Sequence, residues 1–458
     1  MAVQHASQWE CLSALVAQLM DRKQVPGVAL GIAHGDETLT ADFGVTSVEN
    51  PLPVTDRTLF QIGSITKTFV GTAIMRLVEQ GTVDPDASVR TYIPDFRVSD
   101  EAAAAGATVR HLLTHTAGWA GDFFHGTGDG PDALARYVSD MAALPQLAPL
   151  GAHWSYNNAG FTVAGRIIEQ VTEQPFEAAL SELVLEPLGL DQAFLLPAEV
   201  MTRRFAVGHS SGGDDPQVAR PWVLGRGTYP MGGLACHVQD LLRYARFHLG
   251  DGRAPGEGGD RLLTSESLTL MQTPQVTVWG SEAWGLPWSL TEVGGLRQVS
   301  HGGGTKGQVS LLALVPERDF VLVVLTNADT GGKLCDEVRR WVLREFLAVE
   351  DPKPEAIEAS PEDLARYAGR YRGFSTDWEL ALLNGRLVGQ AIYKRGFPNE
   401  SVPPPPAPPP VTMALCEEDR LLALDGAGKG DRADAIRNEA GFVGWLRIGG
   451  RLHVREES

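Results

Sequence analysis

The segment Gln61-Ile-Gly-Ser64-Ile-Thr-Lys67-Thr-Phe-Val70 places a serine at the head of an amphipathic helix and a lysine three residues later. Positions i and i+3 share a helix face, so the ammonium group of Lys67 can reach the hydroxyl group of Ser64. A serine becomes nucleophilic beside a base, and the positive end of a helix favours the oxyanion that follows attack. The spacing therefore indicates a serine nucleophile, although a serine at this place also fits an ordinary helix cap.

Two further motifs favour a serine nucleophile over the helix-cap alternative. Trp154-Ser-Tyr156-Asn-Asn158-Ala-Gly puts a Y-x-N pattern on a loop before a helical run. Ser300-His301-Gly-Gly303-Gly304-Thr puts an H-x-G pattern before a predicted strand. Each motif alone is weak, but the three together in this order predict a single site with Ser64 as its nucleophile.

The organisation of the chain follows from its length and from a change in composition. A length of 458 residues suits one large domain and one smaller domain. Residues 349–361 are acidic and contain prolines, which is typical of an exposed linker, so we expect domains at 1–348 and 362–458. Alternating hydrophobic patterns predict short strands at Val28–Ala33, Thr38–Phe43, Gln308–Val315, Phe320–Thr326, Trp378–Leu383, Arg386–Tyr393, Arg420–Leu424, Phe442–Ile448 and Arg451–Val454.

Composition excludes several classes of protein. The chain has 39 basic and 57 acidic residues, a net charge of −18, which disfavours nucleic acid and anionic membrane surfaces as partners. Its four cysteines lie far apart, so neither a disulfide framework nor a zinc site is expected. The N-terminal residues show neither a secretory signal nor a membrane span, which favours a cytoplasmic location. No metal and no cofactor are expected.

The three motifs together resemble those of the penicillin-recognising serine hydrolases, the SxxK family that includes class C β-lactamases, DD-peptidases, esterases, D-aminopeptidases and peptide cyclases. The resemblance covers residues 7–348. It implies an α/β (α+β) three-layer fold with an antiparallel sheet between helices and an inserted helical lobe. The small antiparallel β-barrel-like domain that follows resembles the lipocalin-like C-terminal domain of some members.

The resemblance also implies a role for each motif residue. Ser64 would be the acylated nucleophile, and Lys67 would relay its proton. Tyr156 would act as general base and then as general acid, and Asn158 would hold Lys67 and the substrate amide. The backbone N–H groups of Ser64 and Gly304 would form the oxyanion hole.

The third motif departs from the β-lactam-binding pattern. Those members have Lys-Thr-Gly where this chain has His301-Gly302-Gly303. Histidine is mostly neutral at pH 7 and glycine has no hydroxyl group, so strong β-lactam hydrolysis is not expected. We expect cleavage of ester or peptide-like amide substrates through an acyl-Ser64 intermediate.

Alternatives remain at the level of substrate and activity. A penicillin-binding-protein-type thioesterase would take a nonribosomal peptidyl chain from a carrier protein and macrocyclise it, whereas an inactive homologue would serve as a binding protein or sensor. Five residues are candidates for contact with a small-molecule or peptidyl acyl substrate, with a core or solvated-strand position as the alternative. They are Gly303, Trp119, Phe123, Trp288 and Arg447.

Overall fold

A computed structural model describes residues 2–211, 215–222, 224–254 and 259–456. These residues form two compact units. The first contains the residues up to Ala87 together with Thr127–Arg136 and Phe161–Asp351. The second contains Ser88–Gly126, Tyr137–Gly160 and the residues from Pro352 onward. The second unit gathers three separate stretches of the chain. The expected domains at 1–348 and 362–458 therefore stay a prediction.

The helices of the described residues vary from one turn to six. In chain order they are α1 (Ala2–Lys23), α2 (Thr66–Glu79), α3 (Val89–Tyr92), α4 (Glu101–Gly106), α5 (Val109–Leu113), α6 (Ala133–Asp140), α7 (Asn158–Thr172), α8 (Phe176–Leu180), α9 (Pro197–Val200), α10 (Tyr229–Gly232), α11 (Val238–Leu249), α12 (Ser265–Met271), α13 (Gly331–Leu347) and α14 (Pro361–Ala365). None of them has the length and apolar character needed to cross a membrane.

The described strands form one large sheet, one closed barrel, one three-stranded sheet and one two-stranded sheet. They are β1 (Gly27–His34), β2 (Glu37–Gly44), β3 (Phe60–Gln61), β4 (Ala193–Phe194), β5 (His209–Ser210), β6 (Gln217–Val218), β7 (Ala235–Cys236), β8 (Val276–Trp279), β9 (Glu282–Trp284), β10 (Ser289–Val293), β11 (Leu296–Thr305), β12 (Gln308–Val315), β13 (Phe320–Thr326), β14 (Gly369–Arg372), β15 (Thr376–Leu383), β16 (Arg386–Tyr393), β17 (Val411–Glu417), β18 (Arg420–Ala423), β19 (Arg432–Arg437), β20 (Val443–Ile448) and β21 (Arg451–Arg455).

An antiparallel sheet in the order β2-β1-β13-β12-β11-β10-β9-β8 forms the centre of the first unit. The side chains of a strand alternate between its two faces. Val28, Leu30 and Ile32 of β1 therefore share one core with helices α1 and α13. On the opposite face, a Cβ atom at Gly31 would lie 2.7 Å from Val238 Cγ2, so this glycine lets α11 pack closely. Helices thus cover both faces of the sheet, which confirms the predicted three-layer fold.

A closed barrel of eight antiparallel strands, β14 to β21, forms the C-terminal part of the second unit. Each strand pairs with the next, and β14 pairs with β21 to close the barrel. Its core contains Tyr371, Leu387, Leu421 and Leu446, none of which is exposed. The predicted C-terminal antiparallel β-domain is therefore confirmed, and full closure leaves no unpaired edge strand.

Within this unit the barrel also bonds to the segment that precedes α7. The Trp445 indole N–H donates to the Leu147 carbonyl oxygen at 2.9 Å. The Leu452 N–H donates to Ser155 Oγ at 3.2 Å, and the Tyr156 N–H donates to the Gly450 carbonyl oxygen at 2.8 Å. The turn between β20 and β21 therefore fixes the backbone of the Y-x-N loop.

Candidate active site

Ser64 lies in a 3₁₀ turn, Gly63–Ile65, that continues directly into α2. Its Oγ accepts a hydrogen bond from Lys67 Nζ at 3.0 Å. The Lys67 side chain is fully buried, and its ammonium group also donates to the carbonyl oxygen of Met231 in α10. Burying a charged amine is costly unless it is hydrogen-bonded, so these two contacts hold the ammonium group against the serine hydroxyl. The i to i+3 prediction for this pair matches the geometry.

The turn that carries Ser64 is pinned by its neighbours. Thr66 Oγ1 donates to the Gly63 carbonyl oxygen at 2.7 Å and accepts from the Leu234 N–H at 3.1 Å. The Ile62 N–H in turn donates to the Leu234 carbonyl oxygen at 3.0 Å. Gly63 has φ +52°, a conformation that costs glycine little. The serine is thus presented from a backbone that is fixed on both sides.

Strand β11 runs directly against this turn. A Cβ atom at Gly303 would lie only 1.9 Å from the Ile62 carbonyl oxygen, which itself accepts from Ser310 Oγ at 2.8 Å. A Cβ atom at Gly63 would lie 2.5 Å from the Gly304 nitrogen, whereas Gly304 itself faces open space. The H-x-G strand and the serine turn therefore approach each other backbone to backbone. This approach requires glycine at 63 and 303.

His301 is buried, with 3% of its surface exposed. Burial, assisted by the charge of Lys67, lowers its pKa to about 3, although the backbone hydrogen bond to Gly302 opposes the shift. The ring is therefore neutral at physiological pH. Its Nδ1 lies 2.6 Å from the Gly302 carbonyl oxygen, which assigns the proton to Nδ1. The imidazole also makes an edge contact with Trp284, at a centroid distance of 5.6 Å.

Tyr156 and Asn158 belong to the second unit. Tyr156 is 9% exposed, and its ring lies 4.3 Å from that of His115, centroid to centroid. His115 Nδ1 accepts from the Asn157 N–H at 2.9 Å, and Asn157 Oδ1 accepts from the Gly160 N–H at 2.8 Å. These bonds order the loop and the start of α7, where Asn158 is the first residue.

The side chains of Asp122 and Arg451 lie beside this motif. Asn158 Nδ2 donates to Asp122 Oδ1 at 2.6 Å, and Arg451 Nε pairs with Asp122 Oδ2 at 3.0 Å. The Arg451 guanidinium also lies over the Tyr156 ring, 4.7 Å from its centroid. Burial alone would lower the pKa of Arg451, but Asp122 and Tyr156 raise it overall. Arg451 is therefore a cation fixed beside both residues of the motif.

The other predicted substrate contacts differ in exposure. Trp119 is 1% exposed and Trp288 is fully buried, so both rings occupy core positions. Phe123 is partly buried and stacks on His125 at 5.0 Å. Arg447 is buried, pairs with Asp434 at 2.8 Å and donates to the Trp154 carbonyl oxygen at 3.2 Å. These contacts give Arg447 a place in the barrel wall.

Asp122, Arg451 and the Met231 carbonyl group lie outside the three motifs. No local spacing points to any of them, because each reaches its motif from a distant part of the chain. Among the residues that the structure describes, no three His, Cys, Asp or Glu side chains come together where they could hold a metal ion.

Comparisons with known proteins agree with the fold. The Beta-lactamase family matches residues 12–345. Penicillin-binding protein 4 of Amycolatopsis lactamdurans is 35% identical over 380 residues, covering 81% of this chain and 98% of that protein. Esterase EstB of Burkholderia gladioli is 31% identical over 260 residues, 49% of this chain and 66% of the esterase.

The crystal structure of SurE is similar over the barrel as well. It superposes with a TM-score of 0.77 at 25% identity, covering 99% of this chain and 100% of the SurE chain. The family match spans Ser64, Lys67, Tyr156, Asn158 and His301. The chain therefore belongs to the beta-lactamase family and is a serine hydrolase.

Proposed function

We propose that the protein cleaves ester or peptide-like amide bonds through a covalent acyl-Ser64 intermediate. One observation carries the proposal: Lys67 Nζ lies 3.0 Å from Ser64 Oγ, on a lysine that is fully buried and hydrogen-bonded. An amine held this closely can exchange a proton with the attacking hydroxyl group. A serine that merely capped the helix would not need a buried lysine against it.

Acylation then follows from the assigned roles. Ser64 Oγ forms a bond to the substrate carbonyl carbon while its proton is relayed by Lys67 to Tyr156, the proposed general base. The carbonyl oxygen takes up the electron pair as an oxyanion, held by the N–H groups of Ser64 and Gly304, each donor contributing about 3 kcal/mol. When the oxyanion collapses, the bond to the leaving group breaks, and Tyr156 returns a proton to the departing oxygen, nitrogen or sulfur atom. The role proposed for Asn158 is to bind the substrate amide.

The third motif favours substrates that need no group on the enzyme to bind a carboxylate. With a pKa of about 3, His301 carries no positive charge at neutral pH, and Gly302 and Gly303 offer no hydroxyl group. A β-lactam carboxylate would find no cation from this motif. We therefore propose weak β-lactam turnover and better turnover of neutral acyl substrates. The likeness to esterase EstB supports the ester part of this proposal.

A second candidate is the thioesterase that macrocyclises a nonribosomal peptide delivered by a carrier protein. The structural observation that favours it is the turn between β20 and β21, which bonds to the Tyr156 loop. Here an amine of the chain, instead of water, attacks the acyl carbon. The bond between that carbon and Ser64 Oγ breaks, and the proton that the amine loses returns to Ser64 Oγ.

The four cysteines support a cytoplasmic site of action. All four are free thiols, and Cys236 and Cys335 are buried. Thiols persist in reducing compartments, whereas exported proteins tend to pair them. We propose that the enzyme works in the cytoplasm on a small or peptidyl acyl substrate.

Mass spectrometry of the intact protein tests the nucleophile. A fluorophosphonate should add one adduct on Ser64, and Ser64→Ala should block the addition. Activity assays then compare p-nitrophenyl esters, a D-amino-acid amide, a linear peptidyl thioester and a chromogenic cephalosporin. Ester or amide turnover above cephalosporin turnover is expected, and a cyclic product from the thioester would select the second candidate. An unlabelled wild-type protein would leave only the inactive binding or sensor homologue.

A further inference from the structure

A cation from the barrel contacts Tyr156 of the Y-x-N motif directly and is linked to Asn158 through Asp122. Arg451 is the first residue of β21 and pairs with Asp122 at 3.0 Å. Through Asp122 it reaches the Asn158 amide, whose Nδ2 donates to that carboxylate at 2.6 Å. It reaches Tyr156 directly, with its guanidinium 4.7 Å from the ring centroid. All four residues lie in the second unit.

The backbone of the same turn reinforces this arrangement. The Gly450 carbonyl oxygen accepts from the Tyr156 N–H at 2.8 Å. Gly450 has φ +77°, and a Cβ atom there would lie 3.2 Å from the Trp154 ring and 3.5 Å from Tyr156 Cβ. By contrast, a Cβ atom at the adjacent Gly449 would meet nothing within 4 Å. The turn therefore packs closely on the Tyr156 loop at the residue just before Arg451.

The burial of Asp122 makes its position depend on the ion pair with Arg451. The Asp122 side chain is 17% exposed and that of Arg451 is 39% exposed. The carboxylate is thus largely withdrawn from water and needs both of its partners. If Arg451 loses its charge, Asp122 loses its ion-pair partner and keeps the hydrogen bond from the Asn158 amide, so its own position is less firmly fixed.

We infer that Arg451 is a positioning residue: it orients Tyr156 and, through Asp122, Asn158, so that the C-terminal barrel sets the geometry of the proton-transfer motif. This inference rests on the proposed function for its catalytic consequence, but the ordering of the loop is a property of the chain itself.

The test uses the full chain with three variants on one strand. Arg451→Met removes the charge and keeps the length, Arg451→Lys keeps the charge, and Arg455→Met is the matched control. Arg455 lies at the end of β21, donates to the Ala368 carbonyl oxygen and covers the Tyr371 ring, so it supports the barrel without touching Tyr156.

Kinetics separate positioning from substrate binding. Arg451→Met should lower kcat for a p-nitrophenyl ester about 10- to 100-fold with little change in KM, since a displacement near 1 Å of a catalytic group can cost about 100-fold. Arg451→Lys should recover most of that loss. A raised KM with unchanged kcat, or an equal kcat loss in Arg455→Met, would overturn the inference, because the first indicates substrate binding and the second general destabilisation.

Hydrogen–deuterium exchange provides a readout that needs no activity. Arg451→Met should accelerate exchange at residues 155–158 several-fold, and Arg455→Met should not. Unchanged exchange in Arg451→Met would contradict the inference even if the enzyme were slower. If wild-type Ser64 fails to react with a fluorophosphonate, the proposed function fails, while the exchange result still decides whether Arg451 orders the loop.

Discussion

Replacing Gly303 by alanine should slow the reaction of Ser64 strongly without removing any catalytic group. The new Cβ atom would lie 1.9 Å from the Ile62 carbonyl oxygen and 2.4 Å from Ser310 Oγ. A carbon–oxygen contact is normally about 3.3 Å or longer, so the strand and the Ile62 backbone must separate by about 1.4 Å. Ser64 follows Ile62 by two residues and would be carried along.

The expected cost has two parts. Separation of this size should slow the reaction of Ser64 with a fluorophosphonate about 100-fold, because attack depends on placing the hydroxyl within a fraction of an ångström. Overpacking and loss of the Ser310 hydrogen bond to Ile62, 2.8 Å long, should lower the free energy of unfolding by about 1–3 kcal/mol. Urea titration measures the free energy of unfolding, and a time course of fluorophosphonate labelling measures the reaction rate of Ser64 on the same preparation.

The neighbouring glycine supplies the control. A Cβ atom at Gly302 would have the Ser310 carbonyl oxygen at 3.8 Å, an ordinary contact, and Gly302 is exposed. Gly302→Ala should therefore label at nearly the wild-type rate. The reasoning is refuted if Gly303→Ala labels Ser64 as fast as wild type, because the close approach of β11 to the serine turn would then have no functional weight.

Three further changes test other parts of the structure. Tyr156→Phe should slow Ser64 acylation about 10²- to 10⁴-fold at unchanged Tm; a loss below threefold would remove Tyr156 as the base. His301 has a folded pKa of about 3, below its unfolded value of about 6.5, so it contributes stability above pH 6.5 that is lost as pH falls toward 3. His301→Asn should therefore flatten the fall in unfolding free energy between pH 6.5 and 4; an unchanged slope would argue against a buried neutral ring. Asp434→Asn leaves Arg420 and Arg447 buried beside an uncharged partner, so it should lower the free energy of unfolding in urea by about 3–5 kcal/mol. Glu379→Gln removes one partner of an exposed pair and should lower it by less than about 1 kcal/mol. Equal losses in the two variants would contradict this account.

The sheet of the first unit was predictable where local signals agree. Gln308–Val315 and Phe320–Thr326 appear with their predicted bounds, because two apolar runs flank a turn that contains Pro316. Val28–Ala33 and Thr38–Phe43 were extended by one residue at each end. The longer observed strands reflect pairing across the hairpin, from Gly27 with Gly44 to His34 with Glu37, which no single strand reveals alone.

The barrel was predicted less completely. Three of its strands escaped the sequence pattern: Gly369–Arg372, Val411–Glu417 and Arg432–Arg437. In the last, Ala433 and Ala435 face the core, while Asp434 on the other face is also buried because Arg420 and Arg447 pair with it. Buried charges therefore conceal the alternation that marks a strand in sequence.

The contact between Ser64 and Lys67 could be predicted from sequence because it depends only on a short spacing. Ser64 and Lys67 meet through one helical turn, and their distance of 3.0 Å needs no long-range information. Asp122 and Arg451 are 329 positions apart, and only the folded second unit brings them together. A pair of this kind has no local pattern, so it could not have been predicted without an arrangement of the strands.

The choice between Arg447 and Arg451 shows what decides the role of an arginine in this barrel. Both lie beside the same turn, and Arg447 pairs across the ladder with Leu452 while Arg451 pairs with Ile448. Arg447 is 4% exposed, and the barrel's own Asp434 compensates its charge. Arg451 is compensated instead by Asp122, a residue outside the barrel that also binds Asn158. Because a buried charge is held where its counter-charge lies, the carboxylate partner assigns one arginine to the barrel wall and the other to the Y-x-N motif. A barrel that lost Asp122 as a partner could remain folded and still fail to position that motif.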